Sequence, residues 1–285
     1  FVGAKPVFAD IEEETLGLDP EDVKEKITNK TRAIIPVHYA GCPCKIDDLR
    51  EIADDHNLIL IEDAAEAFGA KIKDKKVGAF GDSAIFSFCQ NKIITTGEGG
   101  AVVTNSKDVF EKLKLIRSHG RSETGYFTSD KASEYLSLGY NFRMSNITAA
   151  LGVAQMEKVD KIISMRVNNA IELTEMLKRE VKQVRPPEPP DGYFHVYQIY
   201  TIRVNSEHRD NLIKFLSEKK IMTKVYFPPV HLTYFYKNVL GYNIRLKITE
   251  EISSEVLSLP MYPTLSQSEK GYIVSSIREY FEVFS

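Results

Sequence analysis

No run of this 285-residue sequence is apolar for long enough to cross a membrane, and no signal-peptide pattern opens it. Basic clusters are missing too. With a formal net charge of -3, the chain lacks the electrostatic footprint that a phosphate backbone requires, which argues against nucleic acid as a partner. Cysteine is scarce: Cys42, Cys44 and Cys89 are an odd count, and the first two stand too close together for a routine bridge. With only His38 nearby as a further ligand they make a poor metal site, and none is expected. Internal repeats are absent, and the one low-complexity tract is the proline cluster from Arg185 to Gly192. With 43% hydrophobic and 27% charged residues, what remains is an ordinary globular chain long enough for two domains. The expectation is a soluble, cytoplasmic protein with no membrane partner.

Phe1 to Asp10 reads as the middle of an element, with strand-like residues on both sides of a Gly-Ala-Lys-Pro turn. Residues are therefore expected to precede Phe1. Asp19-Pro20 followed by EDVKEKI signals a helix start, with a capping aspartate, a first-turn proline and acids near the positive end of the dipole. A strand is expected at Ala33 to Val37, a helix at Asp47 to His56, and a continuous apolar strand at Leu58 to Ile61 that runs into Glu62-Asp63. Strands alternating with helices imply a parallel sheet covered on both faces, with ligands gathered at the carboxyl ends of its strands. Further on, the pattern predicts strands at Ala84 to Phe88 and Ala101 to Thr104 and a helix at Lys107 to Ser118. A long functional loop is expected from His119 to Tyr140. Ser145 then caps a helical pattern continuing towards Leu177. Past the proline cluster, a β-rich run at Tyr197 to Val204 and helices at Glu207 to Lys219 and Ser266 to Tyr280 suggest a smaller α+β domain.

The stretch Ser83 to Asn105, SAIFSFCQNKIITTGEGGAVVTN, places Lys92 between two apolar strands. Lysine keeps its ammonium in water unless something compensates, so this position suggests chemistry, and a Schiff-base lysine is the candidate. The alternative is that Asn91-Lys92 simply turns an exposed loop. Asp63 at a strand end either caps the next segment or faces a ligand. The small residues after it in IEDAAEAFG suit a flat ring lying close to the backbone. A carboxylate against a pyridine nitrogen keeps that nitrogen protonated and makes the ring an electron sink. Lys92 and Asp63 would then be the two polar anchors that pyridoxal phosphate needs. The Ser87 hydroxyl either donates to a phosphate or bonds to local backbone. The loop Gly97 to Gly100 opens no helix, so its glycines read as a tight turn with positive φ rather than a phosphate cradle.

Taken in order, IEDAAEAFGA, FSFCQNKIITTGEGGAVVT and LGYNFRMSNITAALGVAQMEKVD resemble the DegT/DnrJ/EryC1/StrS family of sugar aminotransferases, and the likeness runs from Phe1 to the C-terminus. The resemblance implies an α/β, aspartate aminotransferase-like fold, fold type I of the pyridoxal-phosphate enzymes. Its large domain, with a mainly parallel sheet, would span residues 1–160, and a smaller C-terminal α+β domain 161–285. It implies pyridoxal 5'-phosphate as cofactor and transfer of an amino group from glutamate onto a nucleotide-linked keto sugar. Carried over by motif, Lys92 resembles the cofactor-anchoring lysine, Asp63 the partner of the pyridine nitrogen and Ser87 a phosphate-binding serine. Asn141 resembles an asparagine that reaches the phosphate from a neighbouring subunit, which implies a homodimer with shared active sites. Glu66 falls where many members have Gln or His near the ring hydroxyl, and resembles the perosamine synthase branch. That branch points to a 4-keto-6-deoxyhexose, GDP-linked, with UDP- and dTDP-linked sugars as alternatives. For the sugar pocket the resemblance points to His231 and Arg143, although a histidine beside prolines equally orders a loop. Relatives that act as dehydratases replace the lysine with histidine, and a non-catalytic, regulatory relative would not need Lys92, Asp63 and Ser87 together. The family's Ser-Gly-Thr phosphate loop and ring-stacking aromatic lie upstream of the segment matching FVGAKPVF, so these residues would supply only part of the cofactor site.

Overall fold

The computed structural model describes residues 2–121 and 134–284. Helix α1, Pro20–Lys26, starts as its sequence requires: Asp19 accepts from Glu21 N, proline fills the first turn, and Glu21 and Asp22 follow. Helix α2, Ile46–Asp55, buries Ile46, Leu49, Ile52 and Ala53, a stripe at helical spacing. That stripe packs with Val23, Ile34, Leu58, Leu60 and Phe80 into one core.

The central sheet has four strands in the order β1 (Ala33–Ile34), β2 (Ile59–Asp63), β5 (Ser83–Ser87) and β6 (Gly100–Thr104). Strand β2 runs parallel to β1 and to β5, whereas β6 is antiparallel to β5. The edge strand is thus the antiparallel member of a sheet that is mainly parallel, as expected. Parallel neighbours need a crossover, usually a helix, while the segment Phe88 to Gly99 is a turn-rich connection that brings the chain straight back. Along β2, Leu60 and Glu62 are buried and Ile59 is exposed, so the strand presents two different faces. Asp63 is in register with Ile85, and Ile85 with Val102. Asp63 therefore shares the more open face with Ile59, Ile85 and Val102.

Strands β3 (Lys71–Ile72), β4 (Lys75–Lys76) and β7 (Tyr193–Phe194) form a small antiparallel sheet that sequence patterning did not predict, since its strands are two residues long. Helix α3 spans Lys107–Arg117. The helix expected to continue from Ser145 is two: α4, Asn146–Met156, capped by Ser145, and α5, Val159–Glu180. The break falls at Glu157-Lys158. Beyond it Val159 and Ile163 enter a core, whereas α4 has no fully buried residue, so the two segments answer to different surroundings. The central part of the loop expected from His119 to Tyr140 lies outside the described residues.

The C-terminal elements are β8 (Tyr200–Arg203), α6 (Ser206–Glu218), α7 (Lys247–Glu255), β9 (Val256–Leu259) and α8 (Gln267–Phe284). Antiparallel β8 and β9 pack with α5, α6 and α8 around Leu173, Leu177, Tyr200, Ile202, Leu212 and Ile277. A third core joins Ala64, Ala67, Ala70, Ile93 and Ile94 to Val159, Ile163 and Val196. We retain residue 160 as a proposed domain boundary; the third core and the β3–β4–β7 sheet span it. Leu173, fully buried on α5, tests the C-terminal core. Leu173→Ala should lower unfolding stability by about 2–5 kcal/mol, read as a reduced urea midpoint.

Candidate active site

The site begins with two adjacent acids that the strand period turns to opposite faces. Glu62 points inward and is fully buried. Its Oε1 accepts from the amides of Phe80 (2.8 Å) and Gly81 (2.6 Å), and its Oε2 from the amide of Gly78 (2.7 Å) and from His38 Nε2 (3.1 Å). His38 Nδ1 accepts from Cys44 N at 3.1 Å, so the proton it gives to Glu62 sits on Nε2. Burial pushes the Glu62 carboxyl up, but the His38 bond and the amides of Gly81 and Gly78 outweigh it, and the net shift is downward. Sequence reading missed this cluster. The signals were the Glu62-Asp63 pair, only one member of which can face each side, and the glycines at 78 and 81 that leave amides free to converge.

Asp63 ends the same strand facing the other way. Its backbone is held by Pro36 O (2.9 Å) and His38 N (3.0 Å), and Ala64 N continues the ladder to Ile85 O at 3.0 Å. Its Oδ1 accepts from Ala65 N at 3.1 Å. The following Ala64 and Ala67 are small and buried. Ser87 lies two residues past the register partner of Asp63 on the neighbouring parallel strand. That offset puts the two Cα atoms about 8 Å apart, from ordinary strand spacing and rise. The Ser87 hydroxyl accepts from Cys89 N at 3.3 Å, a local bond that leaves its proton available.

Lys92 follows in the connection from β5 to β6, anchored by buried Ile93 and Ile94. Its Nζ lies 3.4 Å from Glu66 Oε1, with both side chains largely shielded, at 15% and 12% exposure. The other Glu66 oxygen accepts from Ala40 N at 2.9 Å. Gly41, at φ +95°, lets the 39–41 turn approach this closely: a Cβ there would lie 2.8 Å from Val196 Cγ2 and 3.1 Å from Glu66 O. Tyr39 donates to Tyr226 O, and burial pushes its hydroxyl up to about 12. Across the loop, Gln198 Nε2 donates to Asn91 O at 2.6 Å. Gly97 takes φ +81°, as a tight turn requires, and the loop does not open a helix.

The fold thus sets Asp63 and Ser87 at the ends of neighbouring parallel strands, and Lys92 against Glu66 in the segments that follow those strands. Among the described residues no hydrogen bond or ion pair joins Asn141, Arg143 or His231 to these four. Asn141 and Arg143 are exposed, and Asn141 bridges to Ser118. His231 is buried, with Nε2 3.1 Å from Glu250 Oε1. Bonds from His231 and then Leu246 N hold the Glu250 carboxyl below its usual range. Here the histidine orders the start of α7. These groups fit pyridoxal phosphate chemically: an amine for its aldehyde, a carboxylate for its ring nitrogen and a hydroxyl for its phosphate, with small residues following the carboxylate.

Residues 1–278 match the DegT/DnrJ/EryC1/StrS aminotransferase family. The chain is 38% identical to the GDP-perosamine synthase of Escherichia coli O157:H7 over 283 residues, 99% of this chain and 74% of that protein. It is 39% identical to a pleiotropic regulatory protein of Geobacillus stearothermophilus, again across 99% of this chain and 74% of the relative. Among solved structures it superposes on Helicobacter pylori PseC, an aminotransferase involved in the biosynthesis of pseudoaminic acid. The TM-score is 0.92 at 30% identity, covering 99% of this chain and 75% of that one.

The Glu62 cluster sets a pH dependence. Because the folded carboxyl titrates below its ordinary 4.5, its stabilisation is complete above that value and is lost as pH falls through the folded pKa. Glu62→Gln sets an amide N–H against backbone donors and should cost about 3 kcal/mol near neutrality. Urea unfolding compared at about pH 7 and about pH 4 should show the gap between wild type and variant narrowing in acid.

Proposed function

This chain belongs to the DegT/DnrJ/EryC1/StrS aminotransferase family, and from that premise we propose that it moves an amino group from glutamate onto a nucleotide-linked 4-keto-6-deoxyhexose. It is a pyridoxal-phosphate-dependent sugar aminotransferase. The observation that carries the assignment to this site is the shielded Lys92 amine 3.4 Å from Glu66, in the connection that follows the strand bearing Ser87, whose parallel neighbour bears Asp63.

The cofactor, when bound, supplies an electron sink for charge that develops on the carbon losing its proton. Lys92 has two tasks. Its Nζ is the covalent anchor while the site rests, and as a free amine it takes a proton from the carbon bearing the nitrogen and returns one later. Glu66, 3.4 Å away, is the carboxylate that meets that amine and holds it in place. Asp63 holds a proton on the ring nitrogen, and Ser87 donates to the phosphate. Retention of lysine at position 92 speaks for amino transfer over dehydration. Glu66, in place of glutamine or histidine, supports the perosamine-type sugar, GDP-linked. We assign Arg143 and His231 to the sugar side of the site.

Asn141 is read as a phosphate ligand supplied to a partner's site, so the protein works as a homodimer. Its surroundings support this: Leu138 is 94% exposed and Ile147 85%, and Tyr140 stacks on an exposed Phe142 at 4.8 Å. Apolar surface of this kind flanking a polar residue suits a subunit contact. The relative named as a pleiotropic regulatory protein favours a second reading, a regulatory role for the same fold.

Incubation with 15N-glutamate and a panel of GDP-, UDP- and dTDP-linked keto sugars should give a labelled amino sugar from the GDP-linked 4-keto-6-deoxyhexose. Absence of label with every sugar, despite bound cofactor, would sink the transferase reading in favour of dehydration or regulation. Lys92→Ala and Asn141→Ala should each lower turnover, the first by about 10³-fold or more. Mixed and reassociated, they should recover about a quarter of wild-type activity, because half of the mixed dimers' sites carry both native residues.

A further inference from the structure

The loop carrying Lys92 is held from a part of the chain that none of the family motifs includes. Gln198 Nε2 reaches across 107 positions of sequence to the Asn91 carbonyl, immediately before Lys92, at 2.6 Å. The glutamine is buried, and its Oε1 has no hydrogen-bond partner among the described residues. A glutamine placed only to complete a polar core would have both ends of its amide bonded. Here the head group's bond goes to the lysine loop. Gln198 is itself fixed: Arg166 Nη1 donates to the carbonyls of Tyr197 (3.0 Å), Gln198 (3.4 Å) and Met261 (3.1 Å). Arg166 is buried with no carboxylate partner among the described residues, and burial pushes its pKa down to about 10. A buried cation spent on three neutral carbonyls is costly, and what it secures is the geometry of the 197–198 turn.

We infer that Gln198 is a positioning residue for Lys92: through the Asn91 carbonyl it sets where the loop presents Nζ, and Arg166 holds Gln198 in place. This rests on the reading of Lys92 as the cofactor's covalent anchor. Gln198 touches no reacting atom. Its effect comes from placement, to which covalent attachment and proton transfer are both sensitive, with about 1 Å of displacement able to cost about 10²-fold in rate.

The test uses the purified full chain stripped of cofactor, then mixed with pyridoxal phosphate. Attachment to Lys92 is followed by absorbance and by borohydride trapping with peptide mapping. Gln198→Leu keeps the bulk and removes the donor. It should slow attachment about tenfold or more, shift the pH midpoint of the absorbance band, and lower kcat with KM for glutamate changed less than about twofold. Wild-type attachment rate and pH midpoint in a folded Gln198→Leu protein would overturn the inference. If that variant does not fold, Gln198→Glu decides. Its carboxylate should attach cofactor slowly at about pH 8 and recover towards about pH 6, where the acid form can donate to Asn91 O. A wild-type rate at both pH values would equally overturn the inference. Failure of the wild-type protein to attach cofactor at Lys92 refutes the anchor reading, and this inference with it. Failure confined to the variants supports the inference.

Discussion

A buried carboxylate, Glu62, held among the described residues by three backbone amides and one imidazole, organises this molecule. Glu62 is satisfied by four neutral donors, three of them backbone amides from residues 78, 80 and 81 and the fourth His38. Removing a charge from water is tolerated only when such donors converge, and their convergence fixes three segments at once: the end of β2, the 78–81 turn that feeds β5, and the 38–44 turn, where Cys44 N caps the other histidine nitrogen. Since side chains alternate along a strand, turning Glu62 inward turns Asp63 outward. The position of the candidate ring-nitrogen partner is thus a consequence of how its neighbour is buried.

The lysine loop is arranged on the same logic of satisfying polar groups where the chain leaves the sheet. Ile93 and Ile94 pin it from below, and Gln198 holds Asn91 from the side. Glu66 faces the amine from the segment after Asp63, and is oriented by Ala40 N. These anchors come from elements on either side of the proline-rich tract. The Tyr193–Phe194 strand on Lys71–Ile72 and the packing of Val159, Ile163 and Val196 on the alanines after Asp63 make that possible. Residues remote in sequence thereby control a loop whose own sequence is mostly turn.

The candidate site was legible where local chemistry and motif order agreed. Lys92 between two strands, Asp63 at a strand end and small residues after it are visible in the chain; the structure adds that Asp63 lies in register with the strand leading towards Lys92 and that the Lys92 amine meets Glu66. The direction of β6 was not legible, because an apolar run of four residues carries no sign of the strand it will pair with. Nor was the break at Glu157-Lys158, where helix-forming residues run on and only the burial of Val159 and Ile163 distinguishes one side from the other. The Glu62 and Gln198 contacts span sequence distances that no periodic pattern reports.

Sequence alone determined the α/β class, the helix starts at Asp19 and Ser145, and the order of the motifs that carry Asp63, Glu66, Ser87, Lys92 and Asn141. These follow from backbone capping, hydrophobic period and residue chemistry, all short-range properties. Tertiary structure alone decided which acid faces the open side of the sheet, that Glu66 rather than solvent meets the Lys92 amine, that His231 spends its imidazole on Glu250, and that Gln198 and Arg166 stand behind the lysine loop. The physical reason is that burial and hydrogen-bond satisfaction are settled between distant segments, where each buried donor and acceptor must find a partner that local sequence does not name.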